Sequence, residues 1–239
     1  KKGFGGIAEE IRSYMANTTD EKKLDLYEAL LILLEGLRDY ALLYADAAEE
    51  KARQTGETRF ERIAENCRAI AWNRPQTLYQ AAQLMWFYCL WDWVDCIGRF
   101  DQYMWPFFEK ACEEGDVFPA EDIIGALYLK FQEHGVHNLG LGGLKPEDGT
   151  DATNPLTYLV LQTGRRFFGI HPRLTARIHR NSPPELMRLI VRMWSEGMSD
   201  PTLVSDEVVV PGLMSYGVRE EDARDYTTLG CQEIEITGR

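Results

Sequence analysis

Residues 206–233 read DEVVVPGLMSYGVREEDARDYTTLGCQE. Glu207–Tyr216 has helical composition, but Pro211 lacks the N–H that a helix interior needs, so the helix is expected only in part. Tyr226–Leu229 is rich in strand-forming residues and reads as a buried strand ending at Gly230-Cys231. Gly230 permits a sharp backbone turn just before the thiol.

Upstream of this stretch, short strands and helices alternate. Leu203-Val204 is a very short strand, and Ser182-Pro183-Pro184-Glu185 reads as a capping box that opens a helix to about Glu196. Pro172–His179 alternates as a strand would, with Arg177 and His179 on one face in what we read as structural roles. Asn154 is a helix N-cap, with Pro155 at the first helical position and a helix to about Arg165. Gly135–Gly149 holds five glycines and reads as turn and loop. Its Gly140, Gly142 and Gly143 match neither GxGxxG nor a phosphate loop with its lysine, and read instead as letting backbone approach an interior.

The first half is helical. Leu24, Tyr27, Leu30, Leu31, Leu34, Leu37, Ala41 and Tyr44 recur at three- and four-residue steps, which predicts a helix from about Asp20 to Ala52. A more polar helix is expected over Glu57–Ile70. A third, opened by Pro75, is apolar on nearly every side through Trp91 and should be buried. Two more are expected, over about Tyr103–Glu114 and Ala120–His134. The aromatic cluster Trp86, Phe87, Tyr88, Trp91 and Trp93 belongs to a core by the same argument. The alternation implies an α/β fold with few, widely spaced strands, and no repeat or linker divides the 239 residues. The chain begins without methionine and stops eight residues past Cys231 with no closing element, so it is expected to be part of a longer one.

Composition excludes several functions. The net charge of -12 disfavours nucleic acid and anionic membrane as partners. The longest uncharged stretch, Pro75–Trp91, is short for a membrane span and contains three glutamines. The five cysteines lack CxxC spacing and are odd in number, which argues against a disulfide framework and for a reducing compartment. His134, His137, His171 and His179 form neither HxxxH nor HExxH, so no metal site is expected.

Several segments resemble the catalytic domain of the glycyl radical enzymes, the pyruvate formate-lyase-like family. They are Arg74-Pro75-Gln76-Thr77-Leu78 running into Ala81–Phe87, Gly98-Arg99-Phe100-Asp101-Gln102-Tyr103, Gly149–Asn154 with Leu156–Leu161, and the 206–233 stretch ending in Gly230-Cys231-Gln232-Glu233. The resemblance implies a helix-rich α/β segment of a ten-stranded barrel. Outer helices would fill residues 1–134, and half-barrel strands and helices would fill 135–239, up to a cysteine loop. The family's glycine-loop motif, Arg-Val-x-Gly followed by an aromatic residue, does not occur in these 239 residues. The segment itself would then bind no cofactor and show no turnover alone. The glycyl radical would lie elsewhere in the full enzyme, installed by a radical S-adenosylmethionine activase. A homodimer, a small-molecule substrate and a cytoplasmic setting in an anaerobic bacterium or archaeon are further implications.

By the same resemblance Cys231 is the thiyl-radical residue, although a lone cysteine is by default a small buried hydrophobe. Its S–H bond is close in strength to a glycine Cα–H, so it can relay a hydrogen atom. Glu233, two residues on, would share its side of an extended segment and could move a proton, or be only a surface carboxylate. Cys-x-Glu points to eliminases, with arylacetate decarboxylases or a non-catalytic remnant as alternatives. Asp95 and Cys96 stand where family members place substrate-touching residues. Asp95 could bind a polar or cationic group or simply end a helix, and Cys96 could simply pack.

Overall fold

The computed structural model describes residues 2–91, 94–167, 169 and 171–236. Trp93 and the terminal Thr237, Gly238 and Arg239 lie outside the described residues. The chain divides into two compact units, Lys1–Phe87 and Tyr88–Arg239, and the division falls within a helix rather than at a linker.

In the first unit, α1 (Gly3–Ala16), α2 (Glu21–Thr55) and α3 (Thr58–Ile70) precede α4 (Leu78–Trp91). The carboxylate of Asp20 caps α2 by accepting from the N–H groups of Lys22 and Lys23, and Gly56 ends the helix with φ of 70°. The expected stripe is real at its centre, where Ala8 and Ile11 of α1 meet Leu34, with Tyr27, Leu30 and Leu31 packed around them. Burying one leucine there contributes about 2 kcal/mol. The stripe then continues through Ala41, Ala45, Ala48 and Ala52, small residues that let α3 lie close. Tyr44 instead is 45% exposed, with its ring against Phe87. The third helix starts at Leu78 rather than at Pro75, because Thr77 Oγ1 accepts the Gln80 N–H and so caps it there. Most of α4 is buried or half-buried as expected, but Tyr88 is half exposed.

The second unit is built on a parallel sheet of β1 (Cys96–Arg99), β2 (Asn138–Gly142), β3 (Arg173–Ile178) and β4 (Thr202–Ser205), in that spatial order. The crossovers are α5 (Phe100–Tyr103), α6 (Trp105–Glu114) and α7 (Ala120–His134), then α8 (Pro155–Arg166), then α9 (Pro184–Ser195). After β4 come α10 (Asp206–Ser215), α11 (Glu220–Arg224) and an antiparallel hairpin of β5 (Tyr226–Leu229) and β6 (Glu233–Ile236). The α/β class expected from the sequence is the class observed.

Four local expectations change. The sheet begins at Cys96, not at residue 135, and β2 occupies the glycine-rich stretch read as loop. The segment after Cys231 forms strand β6, which pairs with β5. Helix α10 runs through Pro211, whose missing N–H would have bonded only one turn from the helix start. The Ser182 box does not form. Pro183 takes the N-cap position without a side-chain bond, while Ser182 Oγ accepts the His179 N–H at 2.9 Å. The Asn154–Thr157 pair, by contrast, forms a full capping box on α8.

The sheet register sorts its residues into two faces. Ile97, Leu139, Leu141, Leu174 and Ala176 are buried on one face. Helix α8 approaches that face through Gly164, where a Cβ would lie 2.6 Å from Leu174 Cδ1. Cys96, Asn138, Gly140, Gly142, Thr175 and Arg177 share the other face, which follows from the Cα pairing of β1 to β3. A parallel sheet usually carries apolar residues on both sides. The polar face here carries the β5–β6 hairpin.

Candidate functional site

The start of β5 is fixed by a buried ion network. Arg177 and Asp206, each about 1% exposed, form a two-pronged pair with Nε–Oδ1 at 2.9 Å and Nη2–Oδ2 at 2.8 Å. The carboxylate also accepts Tyr226 OH at 2.7 Å and the Leu144 N–H at 2.7 Å. Arg177 donates onward to the Tyr226 and Arg224 carbonyls, with its guanidinium 3.8 Å from the Tyr226 ring centroid. Arg99 donates to Asp225 Oδ1 at 3.0 Å and to the Gly142 and Leu144 carbonyls. Burial, then the nearby Arg177 charge, pulls the Arg99 pKa below its ordinary value. Burying charges costs several kcal/mol each, and the two-pronged Arg177–Asp206 pair with its further hydrogen bonds offsets much of that cost, although the Arg99 Nε–H is buried without a partner. The family-like residues Arg99, Asp206, Asp225 and Tyr226 are therefore the anchor of β5. The glycine run gives that anchor room, since a Cβ on Gly143 would lie 2.6 Å from Arg177 Nε.

Beyond the anchor, β5 lies on the polar face. Thr227 Oγ1 sits 3.7 Å from Cys96 Sγ, and a Cβ on Gly140 would be 2.7 Å from the same hydroxyl. Thr228 and Thr175 share a hydroxyl hydrogen bond of 2.9 Å. Burial raises the Cys96 thiol pKa, which fits a packing residue under the hairpin. Asp95 Oδ2 then accepts the Gly230 N–H at 2.9 Å, and Asn138 Nδ2 donates to the Gly230 carbonyl at 2.6 Å.

Leu229 pairs with Glu233, so Gly230, Cys231 and Gln232 form a three-residue turn. Gly230 has φ of 51° and Gln232 has φ of 102°, a region that side-chain-bearing residues rarely adopt. Cys231 stands exposed at the tip. Because Gln232 turns the chain, the extended segment expected to align Cys231 with Glu233 does not exist. Glu233 instead opens β6 and reaches back over Gly230, where a Cβ would meet its Oε2 at 2.6 Å.

Thus the structure brings Cys231, Glu233, Asp95 and Cys96 to one hairpin. Cys67 and Cys89 are buried elsewhere, their thiols pushed up by burial to about 11 and about 12. His179 Nε2 lies 3.0 Å from Asp151 Oδ1, in keeping with its structural reading. The sequence reading missed His137, Asn138 and Thr175. For His137 and Asn138 the signal was the period-two pattern Asn138-Leu139-Gly140-Leu141-Gly142, masked by the glycines, whereas Thr175 lay in a stretch already read as a strand. Among the described residues, no cluster of three or more His, Cys, Asp or Glu could hold a metal. No described helix is long and apolar enough to cross a membrane.

Comparison with known proteins agrees with this architecture. A family model described as pyruvate formate lyase-like matches residues 1–239. Isethionate sulfite-lyase of Nitratidesulfovibrio vulgaris is 32% identical over all of this chain and 33% of its own length. (2S)-3-sulfopropanediol dehydratase of Klebsiella oxytoca is 31% identical over 91% of this chain and 30% of its own. The crystal structure of a glycyl radical enzyme from Archaeoglobus fulgidus superposes with a TM-score of 0.87 at 30% identity, covering 99% of this chain and 35% of that one. The chain spans about a third of the length of these relatives.

Proposed function

The chain belongs to the pyruvate formate lyase-like family, and from that premise we propose that it is the thiol-bearing segment of a glycyl radical lyase or dehydratase acting on a small polar substrate. The observation that carries the reading is the Cys231 turn. An exposed thiol stands on a strained tip pinned to the polar face of a parallel sheet, and the Glu233 carboxylate folds back over the neighbouring Gly230. A buried structural cysteine needs none of this. The names of the relatives, a sulfite-lyase and a dehydratase, favour elimination.

In the proposed reaction the Cys231 S–H gives its hydrogen atom to a glycyl radical held elsewhere in the full enzyme, which a radical S-adenosylmethionine activase installs. The sulfur radical takes a hydrogen atom from a substrate carbon and becomes S–H again. The group on the neighbouring carbon then leaves, and Glu233 moves the proton that accompanies it. The product radical recovers the hydrogen atom from S–H, so the net change is loss of HX from the substrate. Because the reacting form is a sulfur radical, no lowered thiol pKa is required, unlike in nucleophilic cysteine enzymes.

The test is Cys231→Ser in the complete protein with its activase. Turnover should vanish while the glycyl radical still forms, as seen by electron paramagnetic resonance, because an O–H bond is too strong to serve the relay. Turnover in the serine variant would remove Cys231 from the reaction.

A further inference from the structure

Asp95 precedes β1 by one residue, and both of its carboxylate oxygens are engaged. Oδ1 lies 2.6 Å from His137 Nδ1, and Oδ2 accepts the Gly230 N–H at 2.9 Å. His137 directly precedes β2, and its ring stacks on His171 with centroids 4.7 Å apart and planes 17° apart. The next residue, Asn138, holds the Gly230 carbonyl. Both backbone polar groups of Gly230 are thus gripped from the adjoining ends of β1 and β2.

We propose that Asp95 is a positioning residue for the Cys231 thiol, held in place by His137. A three-residue turn with Gln232 at φ of 102° is costly in itself and persists only where its surroundings determine it. A carboxylate bond to the backbone N–H just before the thiol is the strongest determinant of that kind available. It also answers what Asp95 does in place of binding substrate. Its two oxygens already hold protein donors, one on each side, and they tie the turn to the sheet. Only the consequence for turnover rests on the reading of Cys231 given above. The clamp itself concerns the conformation of the turn.

The test is amide hydrogen exchange in the complete protein, read at Gly230 and Cys231. Asp95→Ala should speed exchange at these two amides roughly tenfold or more, the worth of a hydrogen bond to a charged group. Exchange in α9 should stay unchanged, which shows that the fold is kept. Asp95→Asn, which keeps one acceptor oxygen, should restore most of the protection and guards against misfolding of the alanine variant. In turnover, kcat should fall about tenfold to a hundredfold at nearly constant KM, as expected for a misplaced reacting group. Unchanged exchange at Gly230 in Asp95→Ala would overturn the clamp. A raised KM at constant kcat would return Asp95 to substrate binding and overturn the positioning role. Faster exchange at unchanged kcat and KM would uphold the clamp and count instead against Cys231 as the reacting thiol.

Discussion

Gly230 is the residue on which the thiol turn depends, for two separable reasons. Its φ of 51° lies in the left-handed region, where a side chain costs about 1–2 kcal/mol. A Cβ there would also meet Glu233 Oε2 at 2.6 Å and Asp95 Oδ2 at 3.6 Å. The first contact is with the far end of a flexible side chain, so Glu233 can swing aside at small cost in stability, but it then leaves its place over Gly230. Gly230→Ala is therefore expected to lower the unfolding midpoint by only a few degrees. Turnover should fall much further, by about a hundredfold, through lost positioning. Thermal unfolding measured beside kcat checks this, and equal losses in both would show that Gly230 matters to folding alone. At this scale much was legible in the sequence. Gly230 stands out as a turn residue after a strand-like run, whereas Cys231 and Glu233 were singled out through the family resemblance. The carboxylate's approach from behind the turn was not legible, since it depends on Gln232 adopting a backbone conformation that its residue type does not announce.

Among the elements, the decisive contact is β5 on β2. It exists because Gly140 has no side chain, and a Cβ there would lie 2.7 Å from Thr227 Oγ1 and 3.3 Å from the Gly98 carbonyl. Gly140→Ala should overpack this contact and destabilise the second unit by about 1–3 kcal/mol. Thr227→Ala removes the nearer atom, so the double variant should recover about 1 kcal/mol or more relative to additivity. Urea unfolding of the two single variants and the double variant measures the coupling. Strict additivity would mean that β5 does not press on Gly140. The same glycines explain why β2 was hidden in the sequence. In β2, Gly140 stands where a side chain would have marked the strand, because Thr227 of the hairpin occupies that space, and Gly143 just beyond it leaves room for the Arg177 side chain. Long-range contact, not local propensity, selected those residues. Helices with their own caps, such as α2 and α8, were readable for the opposite reason, since Asp20 and Asn154 act within one turn of sequence.

For the whole molecule, the Cys231 turn is tied to the polar sheet face through Gly230 and leaves the thiol exposed. The chain spans about a third of its relatives' length, so the proposed turnover is to be tested on the complete protein. The α/β class and the family were legible because several motifs recur in order along nearly the whole chain. Four residues of those motifs, Arg99, Asp206, Asp225 and Tyr226, prove to anchor β5. The most direct measurement of the proposed roles follows deuterium in the complete, activated protein carrying Glu233→Gln. Removing the proton-moving group should slow elimination by about 10²–10⁴-fold. Hydrogen-atom transfer needs no carboxylate, so deuterium should still pass from labelled substrate into the Cys231 thiol and from there to water. The same experiment with Cys231→Ser should show no exchange. Near-normal elimination by Glu233→Gln would contradict the role of Glu233, and exchange persisting in Cys231→Ser would contradict the hydrogen relay itself.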